Sequence, residues 1–192
     1  MTVQVSMGRR ALLILFSMNG VMFVVELVAG WRAESMGLLA DGLDMGADAA
    51  VYLLALLAVG SSAQRKIHAA QFAGRVQLAL AVLAILEVVR RLTMGSTPEP
   101  PVMMVVSLAA LAVNIGCLAM LRRHREGEVH LQAAWIFSAT DVQANLGVLS
   151  AAVLVDVLNS PIPDLIVGLG ISALVLRGAI RIRRRVEAAA KL

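Results

Sequence analysis

The chain has 192 residues, 59% of them apolar and 16% charged, with a formal net charge of +4 and a mean hydropathy of +0.83. A soluble domain carries about 25% charged residues, so this composition excludes a soluble globular protein and marks an integral membrane protein. The basic residues fall between apolar runs, which is a topology signal and not the footprint of a nucleic-acid binder. The single cysteine, Cys117, lies in an apolar run and excludes an intrachain disulfide.

Arg9 and Arg10 precede a first apolar span at roughly 11–31, which carries Asn19 and Glu26 on one face and Trp31 as an interface anchor. It has no small-residue cleavage site and is expected to stay as a span. The turn Arg32-Ala33-Glu34-Ser35 leads to a second span at roughly 36–60. A polar loop from Ser61 to His68 separates it from a third span at roughly 69–89, ended by Arg90, Arg91 and a breaker-rich run from Met94 to Pro101. The fourth span, roughly 102–121, carries Asn114; the basic loop Arg122 to Glu128 follows. The fifth, roughly 131–158, carries Asp141 and Asn145, and the tight turn Asn159 to Pro163 leads to the sixth, roughly 164–182. The fold class is thus an all-α integral membrane bundle of six transmembrane helices. The chain, 1–192, reads as a single transmembrane domain, with no soluble carboxy-terminal domain expected.

Six spans put both termini on one side. If that side is the cytoplasm, fourteen of the seventeen basic residues are inside and only Arg32, Arg90 and Arg91 are outside. The positive-inside rule therefore predicts cytoplasmic termini.

The second span contains Leu38-Leu39-Ala40-Asp41-Gly42-Leu43-Asp44-Met45-Gly46-Ala47-Asp48, three carboxylates in eleven residues. A helix advances about 100° per residue, so Asp41, Asp44 and Asp48 form one stripe. A carboxylate in hydrocarbon is costly unless something pairs with it or binds it. With a rise of about 1.5 Å per residue, Asp44 lies roughly 12 Å and Asp48 roughly 18 Å from the outer end of the second span. Asp141 lies roughly 15 Å and Asn145 roughly 21 Å from the inner end of the fifth. In a core about 30 Å thick, Asp48 is level with Asp141 and Asp44 with Asn145. Four oxygen-bearing side chains would converge near the midplane if these helices face each other. Three carboxylates that close repel unless a cation or protons neutralise them. A divalent cation does so directly, and the same groups can exchange it for protons.

On these residues the chain resembles the cation diffusion facilitators, a family of proton-coupled divalent-cation exporters with six transmembrane helices that usually act as homodimers. The family's second helix typically reads Ser, Leu-Leu-Ala-Asp, His or Asp, then Asp; here these are Ser35, Leu38 to Asp41, Asp44 and Asp48. Asn19, Glu26 and Gly30 match the family's first helix, Asp141, Asn145 and Gly147-Val148 its fifth, and Asp164 the start of its sixth. The resemblance implies a metal site of Asp44, Asp48 and Asp141. Phe137 stands where the family supplies a further ligand; either the amide oxygen of Asn145, one turn further out, fills that gap, or water or a proton does. Without the usual His, zinc, manganese, iron, cobalt, nickel and cadmium are all admissible substrates. The implied partners are divalent cations, protons, the lipid bilayer and a second copy held through the membrane helices. The implied location is the cell membrane, as a multi-pass protein of a bacterial inner membrane, and no prosthetic group or enzymatic activity is expected.

Asp41 reads either as an ion relay or as a cap at the outer mouth. Asn19 and Glu26 read as ties from the first helix to the second and third, Glu87 as a local ion pair with Arg90 and Arg91, and Asn114 as an interhelical hydrogen bond. His68, His124 and His130 fall on the cytoplasmic side as possible pick-up points, and Gly168, Gly170, Ser172 and Ala173 give the sixth helix a small face. Two other functions fit less well. A magnesium-dependent membrane phosphotransferase would need basic groups beside the aspartates, and a non-transporting metal sensor or scaffold would keep the fold without the flux.

Overall fold

The computed structural model describes residues 9–58, 63–122 and 129–189, with side chains described for 9–54, 56–57, 71–72, 74–122, 135 and 138–180. Six helices follow in order: α1 (Arg9–Arg32), α2 (Met36–Ala58), α3 (Ala63–Met94), α4 (Pro100–Leu121), α5 (Val129–Leu158) and α6 (Ile162–Ala189). Their order is that expected from the hydropathy pattern. Two run longer than the apolar stretches do. α3 takes in Ala63 to His68, expected as loop, and α6 continues through the basic residues after Ile182. Apolar length marks where a helix crosses hydrocarbon, not where it ends, and Gln, Lys and Arg are good helix formers.

The bundle has an apolar core and, unlike a soluble protein, an apolar exterior as well. Large apolar side chains such as Val21 and Val24 of α1, Leu83 and Leu86 of α3, Val105 of α4 and Ile166 of α6 are exposed. Asn19, Glu26, Asp41, Asn114, Asp141 and Asn145 are buried. Such an apolar exterior is what lipid solvates. By length and composition α1, α4, residues 138–158 of α5 and residues 162–180 of α6 suffice to cross a membrane. α2 carries its three aspartates in the stretch that would have to cross.

α2 touches every other helix of the bundle. Its contact with α1 is made close by glycines. A Cβ on Gly30 would stand 2.7 Å from the Leu39 backbone nitrogen, and one on Gly46 2.8 Å from the Phe23 ring. α3 and α6 form a second closely packed pair, and α4 and α5 a third.

Three connections meet at one end of the bundle, called here the turn end. α1 stops with Glu34 in the left-handed region (φ 48°), where the Ser35 amide donates to the Gly30 carbonyl at 3.0 Å and the Glu34 amide to the Trp31 carbonyl at 3.4 Å. This pairing satisfies carbonyls that a helix end leaves open. From the α3–α4 connection, the Glu99 amide donates to the Ala33 carbonyl at 3.0 Å, and the Thr97 amide donates to Glu34 Oε2 at 2.8 Å. Thr97 holds the exposed Glu34 carboxyl below the ordinary Glu range, by its backbone amide first and its hydroxyl second. The α5–α6 connection arrives through Asp164, which accepts from the Ser35 hydroxyl at 2.7 Å, the Gly37 amide at 2.9 Å and the Met36 amide. The Ser35 hydroxyl oxygen in turn caps the Leu38 amide at 3.1 Å.

Candidate functional site

The polar centre lies where α2 faces α1, α4 and α5. The tight glycine contacts fix the rotation of α2 against α1, and with it the direction of the aspartate stripe. Along α2 every residue from Ser35 to Leu43 is buried; Asp44 and Asp48 are partly exposed. The turn end above the stripe is therefore sealed, and the side chains first become accessible at Asp44.

The Asp48 and Asp141 carboxyls stand within hydrogen-bonding reach of each other, so the level match expected between the second and fifth spans is met by contact. Asp44 is within electrostatic range of Asp41, Asp48 and Asp141. The Asn145 amide nitrogen donates to the Asp141 carbonyl at 2.9 Å, which leaves its fully buried Oδ1 with no donor. The structure does not gather the set to coordination distance: among the described residues, no three His, Cys, Asp or Glu side chains form a group able to hold a metal ion. The Phe137 side chain, and those of His68, His124 and His130, lie outside the described residues.

Several roles differ from those expected. Asn19 does not tie α1 to α2 or α3; its amide donates to the Leu15 carbonyl at 2.9 Å and to the Cys117 Sγ of α4 at 3.7 Å. The face of α1 that carries Asn19 also serves α4, which periodicity within one helix does not reveal. Asn114 is fully buried, yet neither amide atom has a hydrogen-bond partner, so the expected interhelical bond is not formed. Of the small residues on α6, Gly168 is tightly packed, a Cβ there lying 2.6 Å from Met36 Cγ, whereas a Cβ on Gly170 would meet nothing within 4 Å. The Glu87 ion pairs are as expected, 2.7 Å to Arg90 and 2.8 Å to Arg91.

Two residues at the centre were not singled out as part of the site. Tyr52, buried one turn beyond Asp48, is within electrostatic range of Asp48 and Asp141 and packs with Leu12, Leu15, Cys117 and Leu121. The signal was available: it is the only tyrosine in the chain and continues the stripe at the next turn. Glu26 is fully buried within hydrogen-bonding reach of Asp41.

A multi-pass helical bundle with an apolar exterior, a sealed end and carboxyls meeting across its central helix defines a membrane protein with a buried acidic centre. Residues 12–186 match the family described as the cation efflux transmembrane domain, and the chain belongs to that family. It is 28% identical over 187 residues to the zinc transporter ZitB of Yersinia pestis, covering 90% of this chain and 60% of that protein. It is 29% identical over 186 residues to ZitB of Escherichia coli, covering 90% of this chain and 59% of that one. To the metal cation efflux system protein CzcD of Cupriavidus metallidurans it is 24% identical over 160 residues, covering 77% of this chain and 51% of the relative. The chain thus spans about 60% of the length of the ZitB proteins. Membership of this family speaks against the phosphotransferase reading.

Proposed function

We propose that this protein exports a divalent metal cation from the cytoplasm in exchange for protons, with Asp44, Asp48, Asp141 and Asn145 forming the ion site. The observation that carries this reading is the meeting of Asp48 on α2 with Asp141 on α5. Two carboxyls from different helices in hydrogen-bonding reach have no stable arrangement in an apolar interior unless a cation or a proton lies between them. An incoming divalent ion supplies that charge and draws Asp44 in. The free Oδ1 of Asn145 adds a neutral oxygen where Phe137 offers none. With the termini cytoplasmic, the sealed turn end faces outward and the accessible side of Asp44 and Asp48 faces the cytoplasm, so the ion enters from within.

Release outward requires the turn end to open while the inner side closes, which is alternating access about a central site. Protons arriving from outside neutralise the carboxylates and displace the ion. The relatives named as zinc transporters make zinc the first substrate to test. The oxygen-rich donor set also admits manganese, iron, cobalt, nickel and cadmium, because hard ligands discriminate weakly among these ions. A second copy packed through the membrane helices belongs to the same proposal, by family resemblance.

The test is zinc flux into proteoliposomes under an imposed pH gradient. Asp48→Ala and Asp141→Ala should each abolish flux while the protein stays folded and inserted. Undiminished flux in both variants would sink the assignment.

A further inference from the structure

We propose that Glu26 of α1 and Asp41 of α2 form a second cation station, one helical turn from Asp44 toward the turn end, whose occupant is a single proton shared between the two carboxyls. This rests on the transport reading above but concerns residues outside the metal site.

Glu26 is 0% exposed and Asp41 1% exposed. Glu26 Oε1, Glu26 Oε2 and Asp41 Oδ2 all lack a hydrogen-bond donor. The two carboxyls nevertheless stand within hydrogen-bonding reach of each other. Two acceptors at that separation, with no donor between them, are stable only if one of them carries a hydrogen. The contact is built into the backbone: a Cβ on Gly42, beside Asp41, would stand 3.0 Å from Glu26 Cβ and 3.2 Å from the Leu27 amide nitrogen. Glycine at 42 thus lets α1 come close enough for Glu26 to be aimed at Asp41.

Among the described residues no basic side chain answers the pair. The charged groups that bear on it among the described residues are all carboxyls: Asp44 on α2 acts on both members, and Asp141 on α5 is within range of Asp41. No charged group of α3, α4 or α6 bears on it among those residues. An ion pair is therefore excluded as the explanation for burying two acids. A divalent ion fits less well than a proton. It requires about four to six ligands, and the pair itself offers only two carboxyls.

The station's position gives it a role. It lies inside the sealed half of α2, between Asp44 and the turn end, on the route by which protons from outside would reach the metal carboxylates. A proton held there can pass to Asp44 as the ion leaves and be replaced from outside when the turn end opens. No bond other than O–H is made or broken, and the negative charge moves from Asp44 to the pair.

Glu26→Gln and Asp41→Asn test this in the full chain, because each amide keeps the shape and can donate to the remaining carboxylate. Infrared difference spectra of the metal-free protein at neutral pH should show the carbonyl stretch of a protonated carboxyl in the wild type and lose that component in each variant. In proteoliposomes loaded with a pH indicator, each variant should move fewer protons per zinc ion than the wild type. Variants that keep both the band and the proton count would overturn the station and leave a structural pair. One zinc ion fewer bound in each variant by equilibrium dialysis would overturn the proton as occupant in favour of metal. A wild type that moves no zinc would defeat the transport reading alone, since the infrared band reports the shared proton without flux.

Discussion

The Asp164 carboxylate at the start of α6 accepts the Ser35 hydroxyl at 2.7 Å and so caps a helix other than its own. With the Met36 and Gly37 amides it satisfies donors that the first turn of α2 leaves open, and its charge complements the positive end of that helix. Any displacement of α6 at the turn end must therefore carry α2 with it or break these bonds. Asp164→Ala should cost about 2 kcal/mol of stability, since it removes a cap and leaves buried amides unpaired. Asp164→Asn should cost about half as much, because a neutral oxygen still accepts one of them. Thermal unfolding in detergent measures both, and equal loss in the two variants would show that charge matters more than the hydrogen bonds.

The same joint depends on Gly168, where a Cβ would lie 2.6 Å from Met36 Cγ and 2.8 Å from the Met36 backbone carbon. A flexible side chain can yield, but backbone cannot. Gly168→Ala should destabilise by about 1–3 kcal/mol, the usual cost of forcing a group into a filled space. Gly170→Ala, two residues on, meets nothing within 4 Å and should stabilise by up to about 1 kcal/mol through helix propensity. The pair of variants separates close packing from helix propensity, which alanine improves at both sites.

What was legible in the chain follows from what each pattern encodes. Constant helical rise made the levels of Asp48 and Asp141 computable, and they meet. The local pairing of Glu87 with Arg90 and Arg91 follows from spacing alone and is present. The contact of Asn19 with Cys117 was not legible, because it depends on α1 packing against α4, and no single helix carries that order. Asp164 reads from sequence as a residue of its own helix; its role on α2 exists only once α6 is docked. Glu26 read as a tie from the first helix to the second and third and Asp41 as a relay or cap on its own stripe; their meeting shows only once α1 packs closely against α2 at Gly42. The extra length of α3 was hidden because hydropathy sees the bilayer and not the helix.

At the turn end, Glu34 receives the Thr97 amide at 2.8 Å and the Thr97 hydroxyl at 3.2 Å, joining the α1–α2 turn to the α3–α4 connection. These donors favour the ionised carboxyl, as do Arg91 and Arg90 more weakly, and hold it below its ordinary range. A group whose folded value is depressed contributes fully above its unfolded value and loses that contribution as pH falls through the folded one. The tie should thus be intact at neutral pH and weaken only in acid, below the ordinary Glu range. Hydrogen exchange at the Thr97 amide, compared with Glu34→Gln at each pH, should show protection converging on that of the variant as pH falls. A transition at or above the ordinary Glu value would contradict the geometry.

The donor set proposed for the ion site makes the sharpest demand on Asn145. Its nitrogen is committed to the Asp141 carbonyl at 2.9 Å, so its orientation is set and Oδ1 is left bare in a fully buried position. A bare buried acceptor costs stability, on the order of 1–3 kcal/mol, and an apolar residue of the same size removes that cost. Asn145→Leu should therefore be as stable as the wild type or more so. If Oδ1 binds the ion, the same variant should raise the KM for zinc about tenfold, the equivalent of about 1.4 kcal/mol, with a parallel rise in the Kd measured by calorimetry. A stable variant with unchanged KM would remove Asn145 from the site. Phe137→His supplies the complementary test, because it places an imidazole one turn before Asp141 on the same helix. Nitrogen favours zinc over manganese, so this variant should raise the ratio of zinc to manganese flux, and it should restore zinc affinity to Asn145→Leu. Restoration in the double variant, measured against both single ones, would show that positions 137 and 145 serve one ion.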